Sequence, residues 1–130
     1  MIRRILLIED NEQNRYLATF LLERHGYRVA VAVDGPSGVV AATDAPPDLI
    51  LLDIQLPGMD GHAVARALRQ VPTLAKTPII AVTSYAMPGD RERSLAAGCD
   101  GYIEKPIDPM TFVASIEAVA GFPPSQRVSA

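Results

Sequence analysis

The sequence predicts a doubly wound α/β domain, a five-stranded parallel sheet in the order 2-1-3-4-5 with helices on both faces. Five short apolar runs are spaced evenly along 130 residues. Segments with helical spacing lie between them, and no internal repeat or linker interrupts the alternation. Right-handed crossovers leave few orders for five parallel strands, and 2-1-3-4-5 is the best fit. A chain of 130 residues is enough for one domain and too short for two.

The strands are read at residues 5–8, 29–33, 49–52, 79–82 and 101–103. The runs at 5–8, 49–52 and 79–82 are continuous rather than alternating, as in strands covered on both faces. Leu17, Phe20 and Leu21 give the first helix an i, i+3, i+4 stripe. The second helix, about residues 36–43, is short and alanine-rich. Val64, Ala67, Leu68 and Val71 mark the third, with Asp60 placed to cap it. Phe112, Ile116 and Val119 form the stripe of the last helix, with Glu117 off it, and Asp108-Pro109 reads as its N-cap and N1. Gly26, Gly98 and Gly121 follow apolar stretches, where a left-handed residue ends a helix. Residues 1–121 are expected to form the domain and 122–130 a short C-terminal tail that cannot fold alone.

Composition narrows the function. Hydrophobic residues at 48% and charged residues at 21% are an ordinary globular balance, which argues against disorder. A net charge of −3 disfavours non-specific nucleic-acid binding, which needs a basic patch. The single cysteine, Cys99, excludes an internal disulfide and suits a reducing compartment. Arg3-Arg4 is followed by only four apolar residues before Glu9-Asp10, too few for a signal peptide. No run approaches the roughly 18 apolar residues of a membrane span. A cytoplasmic protein without membrane contact is expected.

In open α/β sheets ligands sit beyond the carboxyl ends of the strands, where strand order reverses. Strand 1 ends in Glu9-Asp10, strand 3 in Asp53 and strand 4 in Thr83-Ser84; strand 5 runs into Lys105-Pro106. Strands 1 and 3 are neighbours at the reversal, so three carboxyl groups converge there. Such crowding is relieved by a proton or a cation. An all-oxygen cluster without histidine or cysteine selects a hard ion, magnesium or manganese, over zinc. Two carboxylates plus a backbone carbonyl suffice for magnesium, leaving positions for a phosphoryl oxygen. Thr83 offers a hydroxyl and Lys105 a mobile charge of the kind used against phosphate. The set matches phosphoryl transfer to a carboxylate, with Asp53 as nucleophile. A cis Lys105-Pro106 bond is one way to aim the lysine inward.

These residues resemble a response-regulator receiver domain of the CheY-like superfamily, over about residues 3–121. The resemblance is carried by Ile8-Glu9-Asp10-Asn11, Asp53 within Asp-Ile-Gln-Leu-Pro-Gly-Met-Asp-Gly (53–61), Ala-Val-Thr (81–83) and Lys105-Pro106. It implies the flavodoxin-like order 2-1-3-4-5, so that order is not independent of it. It implies that Asp53 accepts a phosphoryl group from a histidine kinase or histidine phosphotransfer protein. Magnesium would be bound by Asp10, Asp53 and the Gln55 carbonyl, with Glu9 acting through water. Thr83 and Lys105 would grip the phosphoryl group, Pro106 would shape the lysine loop, and Tyr102 would hold the aromatic switch position. The output implied is altered partner binding through the face of helix 4, strand 5 and helix 5. Asn11-Glu12-Gln13-Asn14 and residues 86–90 resemble single-domain regulators of the DivK type and receivers of hybrid kinases. Gln55 and Tyr85 fall at positions that in this family tune dephosphorylation.

Taken singly each residue has a plainer explanation. Asp10 before a helix is commonly an N-cap, Asp53 a turn former, Thr83 a backbone-satisfying hydroxyl, and Lys105 a solvated charge. Together they need coincidences at the ends of four different strands. Cys99 reads as an apolar filler, His25 and His62 as surface residues, and Met59 and Met87 as packing or loop residues.

Two other activities fit the architecture less well. A haloacid-dehalogenase-like phosphatase carries a second aspartate two residues after its nucleophile, where Gln55 stands. A flavin binder needs a hydroxyl- and glycine-rich loop after strand 1, where Glu9-Asp10 would repel the phosphate. A DNA-binding output is not expected, because no helix-turn-helix follows residue 121.

Overall fold

In the computed structural model, which describes residues 2–84 and 87–126, the predicted alternation is present. The elements run β1 (Arg4–Ile8), α1 (Glu12–Arg24), β2 (Arg28–Ala32), α2 (Gly35–Asp44), β3 (Leu49–Asp53), α3 (Gly61–Gln70), β4 (Ile79–Thr83), α4 (Asp90–Ala96), β5 (Gly101–Glu104) and α5 (Phe112–Ala120). A 3₁₀ turn at Pro72–Leu74 links α3 to β4. The strands are parallel in the order β2-β1-β3-β4-β5. β1 and β3 are therefore adjacent, with Ile8 opposite Leu52.

Strand alternation sends successive side chains into two separate cores. Leu6, Ile8, Ile50, Leu52, Ile79 and Ala81 meet α2 and α3 on one face. Ile5, Leu7, Leu49, Leu51 and Ile80 meet α1 and α5 on the other. β3 and β4 are buried along their whole length, as continuous apolar runs require. Asp60 accepts from the His62 N–H at 3.2 Å and caps α3 as expected. Gly26, Gly98 and Gly121 all have positive φ. Gly61 opens α3 because the backbone passes too close for a side chain: a Cβ there would lie 2.4 Å from the Ile54 Cα.

Several expectations need correction. The buried face of α1 is Ala18 and Leu22, while Phe20 is 44% exposed and stacks on Tyr16. Apolar residues fill both phases of that helix, and the small Ala18 allows the closer approach to the sheet. Glu117 is not a surface residue: it is buried, and its carboxylate accepts from the Tyr27 hydroxyl at 2.5 Å and the Ser125 N–H at 3.0 Å. Burial first, then the bond to Glu117, pushes the Tyr27 phenol up to about 12. Asp108 opens a turn instead of capping α5. Its carboxylate accepts from the Met110 N–H and its carbonyl from the Phe112 N–H, and the helix starts at Phe112. Val119, expected on the buried stripe, is 39% exposed, and its methyls press on Gly101.

The segment after α5 lies against the domain. Phe122 stacks on Tyr27 with centroids 6.1 Å apart, and the Arg3 guanidinium sits 4.5 Å from the Phe122 ring centroid. His25 is half-buried, its Nδ1 2.9 Å from the Ser125 hydroxyl, so the surface assignment fails. Residues 127–130, the end of the expected tail, fall outside the described residues.

Tyr27→Phe removes one donor from a buried carboxylate and should cost about 1–3 kcal/mol, read as a lower urea midpoint at unchanged slope. Gly61→Ala forces a methyl onto backbone that cannot yield, and the same measurement should show a loss of about 1–3 kcal/mol.

Candidate functional site

Four strand ends meet at one rim of the sheet. The Glu9 N–H donates to the Ala32 carbonyl at 3.0 Å, which continues the ladder one residue past β1. Its side chain is buried, while that of Asp10 is exposed. α1 is capped by Asn11, whose side chain accepts from the Asn14 N–H at 2.9 Å. The capping explanation for Asp10 therefore fails. Arg15 reaches back from α1 and donates to the carbonyls of Glu9 (3.2 Å) and Asp10 (2.7 Å). Two acidic side chains are thus presented on a turn whose backbone is held by a cation.

Asp53 closes β3 and is buried. Its Oδ1 accepts from the Gln55 N–H at 2.9 Å and its Oδ2 lies 3.2 Å from the Lys105 Nζ. The same ammonium is 2.8 Å from Glu9 Oε1, and Glu9 Oε2 accepts from the Asn11 N–H at 3.1 Å. Lys105 follows β5 and is itself largely buried; its N–H donates to the Thr83 carbonyl at 2.7 Å, and the Lys105-Pro106 bond is cis. Pro106 lies on the surface. One buried ammonium therefore bridges two buried carboxylates.

Carboxylate oxygens of Glu9, Asp10 and Asp53 all lie within 4.8 Å of one another. Burial first, then the hydrogen bond shared with Glu9, pushes the Asp53 carboxyl up to about 6, against the opposing pull of the Gln55 N–H and Lys105. Burial pulls the Lys105 ammonium down, but Glu9 and Asp53 more than offset it, and the net direction is upward. Among the described residues Lys105 is the one cation paired with these carboxylates, which leaves the cluster net negative. The donor set is all oxygen, with Asp10 open to solvent, and it fits a hard divalent ion such as magnesium.

Thr83 ends β4 and is buried. The Gln55 side-chain amide spans the gap between β3 and β4: its Nε2 donates to Thr83 Oγ1, and its Oε1 accepts from the Ser84 N–H at 2.9 Å. Sequence reasoning placed only the Gln55 carbonyl at the metal and its side chain among the rate-tuning positions. The clasp on Thr83 and Ser84, like the Arg15 contact, is a non-local bond that no spacing announces. Beside Thr83 lies a cavity of about 230 Å³, also lined by Gln55, His62, Ser94 and Tyr102. Tyr102 is half-buried at its wall. His62 is not a surface residue: its ring is 15% exposed, with Nε2 3.0 Å from the buried Ser94 hydroxyl.

Cys99 is buried, and burial pushes its thiol up to about 11 although Arg69 pulls the other way, as suits an apolar filler. Met59 packs near Gly35 and Met87 is exposed. Tyr85 falls outside the described residues, as does Ala86.

Comparison with known proteins agrees with this geometry. Residues 5–117 match the family described as the response regulator receiver domain. The polar-differentiation response regulators DivK of Brucella ovis and Brucella melitensis are 40% identical over 121 residues, 93% of this chain and 98% of each relative. The receiver domain of the sensor histidine kinase PA1611 of Pseudomonas aeruginosa, with magnesium coordinated in its active-site cleft, superposes with a TM-score of 0.85 at 36% identity. That match covers 93% of this chain and 99% of the other. The chemotaxis response regulator CheY4 of Vibrio cholerae superposes with a TM-score of 0.87 at 28% identity, covering 92% of this chain and 99% of that one. With its carboxylate-lined rim, its bridging lysine and these relatives, the chain belongs to the response regulator receiver domains, the phosphoacceptor switches of two-component signalling.

Proposed function

We propose that Asp53 is the phosphoacceptor, charged from a phosphohistidine on a histidine kinase or a histidine phosphotransfer protein. The observation that carries this reading is the buried Asp53 carboxylate within reach of both Lys105 and the Glu9–Asp10 pair. An Asp53 oxygen attacks phosphorus; a P–O bond forms as the P–N bond breaks, and the imidazole nitrogen leaves with the electron pair and takes up a proton. Lys105 meets the negative charge on the transferring oxygens, and the Thr83 hydroxyl donates to one of them. Asp10, Asp53 and the Gln55 carbonyl would be the direct ligands of a bound magnesium ion. Glu9, already engaged by Lys105 and the Asn11 N–H, acts through water. Magnesium, or manganese in its place, supplies charge neutralisation and a template for the phosphoryl oxygens.

A phosphoryl group on Asp53 draws the Thr83 O–H as a donor, while the Thr83 oxygen accepts from the Gln55 side-chain amide, so the clasp and the phosphoryl group act on the same side chain. Thr83 moves toward the phosphoryl group, and Tyr102 turns into the adjoining cavity of about 230 Å³. The surface of α4, β5 and α5 changes, and protein partners exchange there. Nucleic acid and membrane are not among the partners, in keeping with the net charge of −3. The protein acts in the cytoplasm, with residues 1–121 as the switch and 122–130 as an appended segment. It catalyses only its own phosphorylation and its own dephosphorylation, the latter paced in part by the Gln55 side chain and Tyr85. With Gln55 at the position of a phosphatase's second aspartate, it does not turn over free phosphate esters.

Incubation with a small-molecule phosphodonor should add one phosphoryl group to Asp53, read by intact-mass and peptide mass spectrometry. Incorporation should require magnesium and vanish in Asp53→Asn; unchanged incorporation in that variant refutes the assignment.

The raised Asp53 pKa also sets a pH dependence. Between the ordinary value of 3.8 and about 6 the folded state binds the extra proton, so this residue's contribution to stability falls as pH rises through that window. Above it the penalty is fully present. Metal-free Asp53→Asn should melt above the parent protein at about pH 7.5, with the gap closing as pH falls toward about 4. Added magnesium should raise the parent melting temperature more at about pH 7.5 than at about pH 5.

A further inference from the structure

Glu9 and Asp10 are adjacent in the chain, but they are held in place differently. The Glu9 carboxylate is fixed directly, 2.8 Å from Lys105 Nζ and accepting from the Asn11 N–H at 3.1 Å. Among the described residues no hydrogen bond or ion pair holds the Asp10 carboxylate in that way. Its backbone is held instead. Arg15 Nη1 donates to the Glu9 carbonyl at 3.2 Å and to the Asp10 carbonyl at 2.7 Å. These two carbonyls belong to the peptide planes on either side of the Asp10 Cα. Tying both planes to one nitrogen fixes φ and ψ of Asp10, and with them the direction of its Cβ.

Arg15 reaches the turn because helical side chains lean toward the helix N-terminus. It lies in the first turn of α1, and its own N–H donates to the carbonyl of the Asn11 cap at 2.9 Å. That placement has an electrostatic cost. A cation near the start of a helix opposes the helix dipole, and a cation beside a carboxylate cluster repels a divalent ion. Among the described residues the ion pairs of the cluster are made by Lys105, whereas Arg15 bonds to backbone oxygens.

We propose that Arg15 is a positioning residue for the metal: it locks the Asp10 backbone so that the carboxylate stays within 4.8 Å of those of Glu9 and Asp53. The proposal rests on the reading of Asp10 as a direct magnesium ligand. It requires the held backbone to outweigh the repulsion, and the two effects have opposite signs. Removing the arginine tightens magnesium binding if repulsion governs and loosens it if positioning governs.

Isothermal titration calorimetry of magnesium into the metal-free full chain separates the two. Arg15→Met keeps the stem and removes the charge and its donors; the magnesium dissociation constant should rise about tenfold. Arg15→Lys restores both the repelling charge and a donor, and should recover part of that loss. The three-bond coupling between the Asp10 amide and α protons reports φ, and should move toward an averaged value in Arg15→Met. Circular dichroism of both variants should match the parent. Asp10→Asn, run beside them, should weaken magnesium at least as much as Arg15→Met. An Asp10→Asn chain that binds magnesium like the parent removes the ligand reading, and the proposal with it. If Asp10→Asn is weakened, three results overturn the proposal alone: Arg15→Met binding as tightly as the parent or tighter, Arg15→Lys binding more weakly than Arg15→Met, or an unchanged Asp10 coupling.

Discussion

Two carboxylates, Glu9 and Asp53, are each only 3% exposed and share a single ammonium, Lys105, and the site is built around that imbalance. Removing both acids from water is costly, and one cation does not offset it fully. The 2-1-3-4-5 order makes β1 and β3 neighbours and so forces the two acids together. The turn after β5 brings in the lysine, and Arg15 holds the backbone of the acidic turn from below. Asp53 responds by holding its proton to about pH 6. A divalent ion therefore enters a place already short of positive charge.

The fold separates this unfavourable electrostatics from the structure that tolerates it. Two apolar cores, one under α1 and α5 and one under α2 and α3, leave the central strands fully buried. The buried carboxylates of the site, Glu9 and Asp53, sit at the strand ends of one rim. Gln55 links that rim to β4 through Thr83 and Ser84, and Thr83 adjoins the cavity that Tyr102 also lines. A charge added at Asp53 has in this clasp a physical route to the outer face of the sheet. The third buried acid, Glu117, is handled differently, since Tyr27 and Ser125 satisfy it with hydrogen bonds. That pairing makes it a tie for the chain after α5, with no demand for a cation.

What could be read from the sequence followed the range of the interaction. Continuous apolar runs at 5–8, 49–52 and 79–82 gave the buried strands, and Gly26, Gly98 and Gly121 marked helix ends, because both signals are local. The acidic cluster was legible because strand order converts three strand ends into one place. α1 was misphased because Leu17, Ala18, Leu21 and Leu22 offer two adjacent stripes, and tertiary packing chose the one containing the small residue. Glu117 and His62 looked exposed because their partners, Tyr27 and Ser94, lie 90 and 32 residues away. The Gln55 clasp on Thr83 spans 28 residues and was hidden for the same reason. At Asp108 a side-chain turn outcompeted a helix cap, and the two begin with the same residues.

Asp53 is a carboxyl group held without enough positive charge around it. Its side-chain carboxyl ¹³C shift, followed by NMR titration with and without magnesium, tests that most directly. Without metal the group should titrate near 6, and saturating magnesium should move the transition well below that value. A transition near 3.8 that magnesium does not move would contradict the account.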